Sequence, residues 1–174
     1  MSQDFSEARI RAFKYYLSLV QEAARLYASD VDQRSQGLEL FDREWPQLRP
    51  LLENLLEHAL TRKDVTELCL DFFENGSALY DLRLSFEARL PQLKLAHEAA
   101  IQHGEEMLSG RILRQIAWAQ YNLKDYEQAM ANVGTALAIS KKFDDAKNEC
   151  KCFGVEGSIY RERGNYQLAF ESHE

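Results

Sequence analysis

Apolar residues recur at three- and four-residue spacing along almost the whole chain, and no segment alternates with the period of two that a half-buried strand requires. Only three prolines and eight glycines interrupt 174 residues. The pattern predicts an all-α chain. Residues 5–28, FSEARIRAFKYYLSLVQEAARLYA, form a long helix with an apolar face of Phe5, Ala8, Ala12, Phe13, Tyr16, Leu17, Val20, Ala24 and Tyr27. Residues 29–37, SDVDQRSQG, read as a polar loop. Residues 38–60 read as mostly helical, with Pro46 opening a new helix or kinking one, because it cannot donate the interior hydrogen bond. Residues 65–82 and 86–102 make a helical hairpin.

A second regularity lies over the first. KDYEQAM at 124–130 and GNYQLAF at 164–170 align Tyr126 with Tyr166 and Ala129 with Ala169, at an offset of 40. Forty residues upstream, LSFEARL at 84–90 places Phe86 in the aromatic position and Arg89 where the others carry alanine. Tyr80 corresponds to Tyr160, and Phe73 to Leu113 and Phe153. Each unit is expected to be a helical hairpin. Asp125 and Asn165 stand where an N-cap acceptor is useful, and Gly164 suits the turn before it. Tyr126 and Tyr166 are expected to wedge between paired helices, and Ala129 and Ala169 to mark their close approach. One hairpin cannot bury its apolar face alone, so such units stack. The expected organisation is an N-terminal helical region, 1–62, then repeats at 63–104, 105–144 and 145–174. The last repeat carries its first helix and the start of its second, which reads as a longer protein cut inside a repeat.

Composition removes several classes of function. The formal net charge is −7, and acids outnumber bases both before and after residue 104. A nucleic-acid or anionic-membrane surface needs the opposite balance. The three cysteines, Cys69, Cys150 and Cys152, do not form a disulfide framework. Cys150 and Cys152 would point about 200° apart on a helix, so they cannot jointly hold one metal. They read as reduced thiols, partly in the core. No apolar signal core or membrane-length run occurs. The expectation is a soluble, cytoplasmic protein. Phosphate-binding glycine loops are missing, and His97-Glu98 lacks the second histidine of a zinc pair. His58, His97, His103 and His173 are scattered. The sequence offers no catalytic residue, cofactor or metal, and the chain is read as a non-enzyme.

The repeats resemble the tetratricopeptide family in a long, 40-residue variant. The resemblance is carried by IAWAQYNLKDYEQAMANVGTALAI at 116–139 and by FGVEGSIYRERGNYQLAFESHE at 153–174, which has Gly157, Tyr160, Gly164, Tyr166 and Ala169 in place. Gln120, Lys124, Arg89 and Glu156 depart from its pattern. It implies a right-handed α-α superhelix of antiparallel hairpins. The order of elements, with FDREWPQLRPLLENLLEH at 41–58, is also similar to the helical sensor region of bacterial NB-ARC/STAND-type signalling ATPases. There, such an array senses a ligand or partner and restrains the ATPase. The resemblance implies a concave groove lined by the first helix of each hairpin. The groove row is then Arg111, Arg114, Trp118 and Tyr121, followed one repeat later by Lys151, Gly154, Ser158 and Arg161, and preceded by Asp71, Glu74, Ala78 and Asp81. Two readings stay open. Arg111, Arg114, Trp118, Tyr121, Lys151 and Arg161 could hold an acidic or extended peptide segment. Alternatively, Arg111 and Arg114 pair with Asp71 and Glu74, and Trp118 packs in the core. Trp118 and Val155 stand where a chaperone-tail groove needs asparagine or a basic residue, so that specificity is not expected. The function expected is protein–protein interaction, as a sensor or regulatory fragment. The alternatives are a peptide or small-molecule receptor domain of a transcription regulator, and a structural unit that dimerises through the incomplete last repeat.

Overall fold

The computed structural model describes residues 7–172, apart from the Ser77 side chain. They form eight α-helices and no strand. The helices are α1 (Glu7–Tyr27), α2 (Val31–Ala59), α3 (Lys63–Asp81), α4 (Phe86–Gln102), α5 (Glu106–Asn122), α6 (Tyr126–Lys142), α7 (Ala146–Glu162) and α8 (Tyr166–Glu171). The fold is all-α, with helices packed on their neighbours in sequence within each of two units, as in a helical solenoid. The chain divides into two compact units, Met1–Leu84 and Ser85–Glu174. The sequence places the division at residue 62. In the structure α3 packs on both α1 and α2 and so belongs to the first unit.

Unit 1 is a three-helix core. α1 buries Ile10, Phe13, Leu17, Val20 and Ala23, a stripe rotated slightly from the expected one: Ala8 is exposed, and Phe5 lies outside the described residues. The aromatic centre is Phe13, Phe72, Phe73 and Tyr80, all fully buried. Phe72 stands edge-on to Tyr80 at 5.3 Å, an arrangement that the ring quadrupoles favour. The expected loop at 29–37 is helical from Val31 onward. Asp30 caps α2 by accepting from the Gln33 N–H at 2.9 Å. Its polar residues form the solvent side of the first turns, while Gly37 is buried against α1. Nor does Pro46 open a new helix. α2 runs through both Pro46 and Pro50, which lie on its exposed side, where a carbonyl without a partner can be hydrated.

Unit 2 is built on a repeat finer than the expected one. α4, α5, α6 and α7 each have 17 residues, and each next helix starts 20 residues after the last. The three-residue connections share one geometry. Gly104, Lys124, Asp144 and Gly164 all have positive φ, of 75°, 64°, 53° and 77°. The residue after each donates its N–H five residues back: Glu105 to Ala100, Asp125 to Gln120, Asp145 to Ser140 and Asn165 to Tyr160, at 2.8–2.9 Å. Each connection is thus a Schellman turn whose last residue is also the N-cap of the next helix. Asp125 and Asp145 accept from the N–H groups of Gln128 and Asn148. Asn165 occupies the N-cap position without a side-chain capping bond. Leu84 occupies the equivalent slot before α4. Its φ is not positive, in line with the steric cost of a Cβ in the left-handed conformation, and its N–H bonds Tyr80 four residues back.

Lys124 and Asp144 hold that conformation at a steric cost that glycine would not bear. Lys124→Gly is expected to stabilise unit 2 by about 0.5–1 kcal/mol, the left-handed penalty less the extra chain entropy of glycine. Asp144→Gly is expected to gain less, because aspartate tolerates αL better than lysine. Urea unfolding followed by the fluorescence of Trp118 in a Trp45→Phe background checks both, and a loss of stability in either variant refutes this account of the turns.

The small residues behave unevenly. Ala129 is fully buried and Ala169 nearly so. Arg89 fills the corresponding slot of α4 and is also buried, its guanidinium 5.5 Å from the Phe86 ring centre. Gly110 sits against Ile139 of α6, 2.6 Å from where its own Cβ would stand. Gln120, in an aromatic position of the repeat, accepts from Asn132 of α6 at 2.7 Å. Tyr126 is half-buried beside Tyr121. Tyr166 is not wedged between helices as expected: it is 71% exposed, and Phe170 is 64% exposed.

Candidate functional site

α5 is the most enclosed helix of unit 2, with α4, α6 and α7 packed around it. Ile112, Leu113, Gln115, Ile116, Ala117, Ala119 and Gln120 are buried. Arg111, Arg114, Trp118 and Tyr121 are only half-buried. At 100° per residue these four fall within an arc of about 80°, so they share the one open side of the helix. Trp118 stacks on Tyr121 with centroids 5.2 Å apart and planes at 23°. Tyr121 continues to Tyr126, at 6.0 Å. The result is a short aromatic ladder, partly open to solvent.

α7 lies beside α5, and two polar bonds set their register. Arg111 Nε donates to Asp145 Oδ2 at 2.7 Å. Arg114 Nε donates to Asn148 Oδ1 at 2.8 Å. Both bonds span 34 residues, six short of the sequence repeat. Within unit 1, Asp71 accepts from Gln21 and Asn75. Asp145 has little contact with water, with 7% of its side chain exposed. Burial pushes its carboxyl pKa up, but the Arg111 hydrogen bond, the Asn148 N–H and the charges of Arg111 and Lys151 outweigh it, and the net shift is downward. Asn148 extends the network inward. Its Nδ2 donates to Ser140 Oγ at 2.8 Å, and Ser140 donates to the Ala136 carbonyl at 2.8 Å. Cys152, next to Asn148, is a buried thiol whose pKa desolvation raises to about 11. It is a core group and not a nucleophile.

The rest of the α7 row is small or basic. Lys147, Lys151, Gly154, Ser158 and Arg161 also fall within an arc of about 80°. Lys147 and Arg161 are exposed; Lys151, Gly154 and Ser158 are half-buried. A Cβ built on Gly154 meets nothing within 4 Å, and Ser158 turns its hydroxyl back to the Gly154 carbonyl at 2.8 Å. Two of the three carboxylates of α7 point elsewhere: Glu149 meets Lys141 of α6, and Glu156 accepts from Ser172 just after α8.

Of the six expected residues, Arg111, Arg114, Trp118 and Tyr121 share one side of α5, and Lys151 and Arg161 share one row of α7. Arg111 and Arg114 bond to Asp145 and Asn148. Sequence reasoning missed Asp145, Asn148 and Ser140. A polar pair eight residues apart across a helix corner, Ser140 and Asn148, was the available signal. A histidine–hydroxyl pair, Ser109 Oγ and His97 Nδ1 at 3.1 Å, joins α4 to α5. Desolvation lowers the His97 pKa, opposed by a hydrogen bond with the Ser109 backbone. Ser109 is buried, out of reach of a substrate. Among the described residues no group of three or more His, Cys, Asp or Glu could hold a metal, and no helix is long and apolar enough to cross a membrane.

No family model matches the sequence, and no curated protein matches it. Among solved structures, the crystal structure of BtubC (BKLC) from P. vanneervenii is similar, with a TM-score of 0.62 at 20% identity over 97% of this chain and 73% of that one. At that identity the likeness is one of fold.

Proposed function

We propose that the chain is a non-catalytic protein-interaction module of tetratricopeptide type, which binds a segment of another protein on the open face of α5 and α7. The observation that carries this reading is Trp118. It is half-buried and stacked on Tyr121, on the side of α5 that carries Arg111 and Arg114. A tryptophan held in place on a partly open surface is among the side chains most often found as binding anchors. Arg111 and Arg114 serve as positioning residues that hold α7 at a set distance from Trp118. By resemblance to the STAND-type sensors, occupation of this face would release a neighbouring module of a longer parent chain. A parent with no nucleotide-binding module would remove that last step and leave the binding reading intact.

Gly154→Gln tests the proposal without damaging the fold. Glycine inside a helix costs roughly 0.5–1 kcal/mol relative to ordinary residues, and the site has room, so the variant is expected to melt slightly higher than the parent. It is also expected to cover the open surface of α7 at that position. Affinity capture from the source lysate, quantified against the parent chain, should lose the same proteins with Gly154→Gln and with Trp118→Ala. Undiminished capture by a Gly154→Gln chain of raised stability would sink the proposal.

A further inference from the structure

We infer that the open side of α5 takes a proline-rich segment of a partner protein, in the polyproline II conformation, laid along Trp118, Tyr121 and Tyr126. This deepens the proposed function and rests on it. The three side chains form a ladder that crosses the α5–α6 turn. Trp118 stacks on Tyr121 with centroids 5.2 Å apart, and Tyr121 meets Tyr126 at 6.0 Å. All three are half-buried. Each also carries a polar group, the Trp118 indole N–H and the two tyrosine hydroxyls. Among the described residues none of these groups has a protein hydrogen-bond partner, and they are open to solvent. The aromatic cluster of unit 1 is different. Phe13, Phe72, Phe73 and Tyr80 are fully buried, as a core requires.

The open donors decide what kind of segment fits. A helical ligand pairs its own carbonyls. A strand pairs them with a sheet edge, which none of the described residues forms. A polyproline II helix has no internal hydrogen bonds, so its carbonyls can accept from the indole and the hydroxyls. Its proline rings are apolar and their backbone φ is already fixed, so little conformational freedom is lost when they settle on an aromatic. Surfaces lined with aromatic side chains take proline-rich segments for these reasons. The lengths agree as well. The two ring steps, 5.2 and 6.0 Å, bound the length of the ladder. One polyproline II turn of three residues rises about 9 Å, so prolines three residues apart fit within that bound. The ladder itself is uncharged, and its affinity for such a segment does not depend on ion pairs.

The test uses the full chain with Trp45→Phe, which leaves Trp118 as its one tryptophan. Three fluorescein-labelled probes are compared. One is a peptide with Pro-x-x-Pro repeats and Ala or Leu between the prolines, the second has Ala in place of every Pro, and the third is a single-stranded thymidine oligonucleotide. Fluorescence anisotropy should show the proline peptide binding at least about tenfold tighter than the alanine peptide, the margin of an anchored contact. Its affinity should change by less than about twofold as salt rises and screens charge. The unlabelled proline peptide should shift the Trp118 emission to the blue. Trp118→Ala should weaken binding at least about tenfold. Trp118→Phe, which keeps a ring and removes the N–H, should weaken it severalfold with helicity unchanged. Equal binding of the two peptides, lost in Trp118→Ala, overturns the proline class and leaves the binding face standing. Binding of the proline peptide that is indifferent to both Trp118 variants, or no binding of it, overturns the inference, and lysate capture with Trp118→Ala then decides the proposed function separately. An oligonucleotide that binds as tightly as the proline peptide also overturns the inference.

Discussion

Gly37→Val is expected to destabilise unit 1 by about 3 kcal/mol, the upper part of the range for overpacking a close-packed site. The reason lies in what surrounds the glycine. A Cβ at position 37 would stand 2.6 Å from the Ala23 carbonyl oxygen and 2.8 Å from the Tyr27 nitrogen. Both are backbone atoms of α1, so no side-chain rotation relieves the clash. The helices must separate, and with them the contacts of Leu17, Val20 and Ala23 with the rest of the core. Gly37→Ala sets helix propensity, a gain of about 1 kcal/mol, against the same clash. It is expected to lose stability by a smaller margin. The chain has two tryptophans, Trp45 in unit 1 and Trp118 in unit 2. Urea unfolding of Gly37→Val in a Trp118→Phe background therefore reports on unit 1 through Trp45. A Gly37→Ala variant more stable than its parent would show that α1 and α2 can move apart freely there.

Gly37 also shows where the sequence misleads. SDVDQRSQG looks like a loop because polar residues and a glycine mark turns. Here the polar residues are the wet side of a 29-residue helix, and the glycine marks a helix crossing. Composition cannot separate the two, because both need glycine for want of a Cβ. α4, by contrast, was legible to its ends. Ser85 caps it by accepting from Ala88, and Leu93, Ala96, Ala99 and Ala100 follow the helical period. The 40-residue repeat was visible through Tyr126, Tyr166, Ala129 and Ala169. The 20-residue helix step beneath it was hidden, because Gly104, Lys124, Asp144 and Gly164 share a backbone conformation and not a residue type.

The open face was legible as a helical row, Arg111, Arg114, Trp118 and Tyr121. Its polar pairing was not. Repeat arithmetic aligns positions 40 apart, whereas the bonds from α5 to α7 join positions 34 apart. The parallel helices are offset by six residues, about 9 Å, and that stagger belongs to packing alone. Trp118 remains a matter of degree that sequence cannot decide. The same residue anchors the α5 surface by stacking on Tyr121 and leaves part of its ring to solvent.

The stagger depends on Asn148, and its replacement is expected to be the second costly change. Asn148 is 3% exposed, accepts from Arg114 and donates to Ser140. Asn148→Leu keeps the volume and removes both bonds. It leaves the Arg114 Nε without that acceptor beside an apolar group, which costs about 2 kcal/mol in total if each lost bond counts for about 1 kcal/mol. Ser140 still donates to Ala136, so the serine is not stranded. Ser140→Ala in the Asn148→Leu background should therefore add little, although Ser140→Ala alone costs stability. The two changes couple by about 1 kcal/mol, as expected for partners in one network. Unfolding in a Trp45→Phe background, read through Trp118, measures this cycle in unit 2. Additive losses would mean that Ser140 and Asn148 act separately. Non-additive losses tie the α6–α7 corner to the arginines of α5. If α5 and α7 together form the proposed binding face, Asn148→Leu should then weaken partner capture although every residue of the open row is retained, because it loosens the register of α7 on α5.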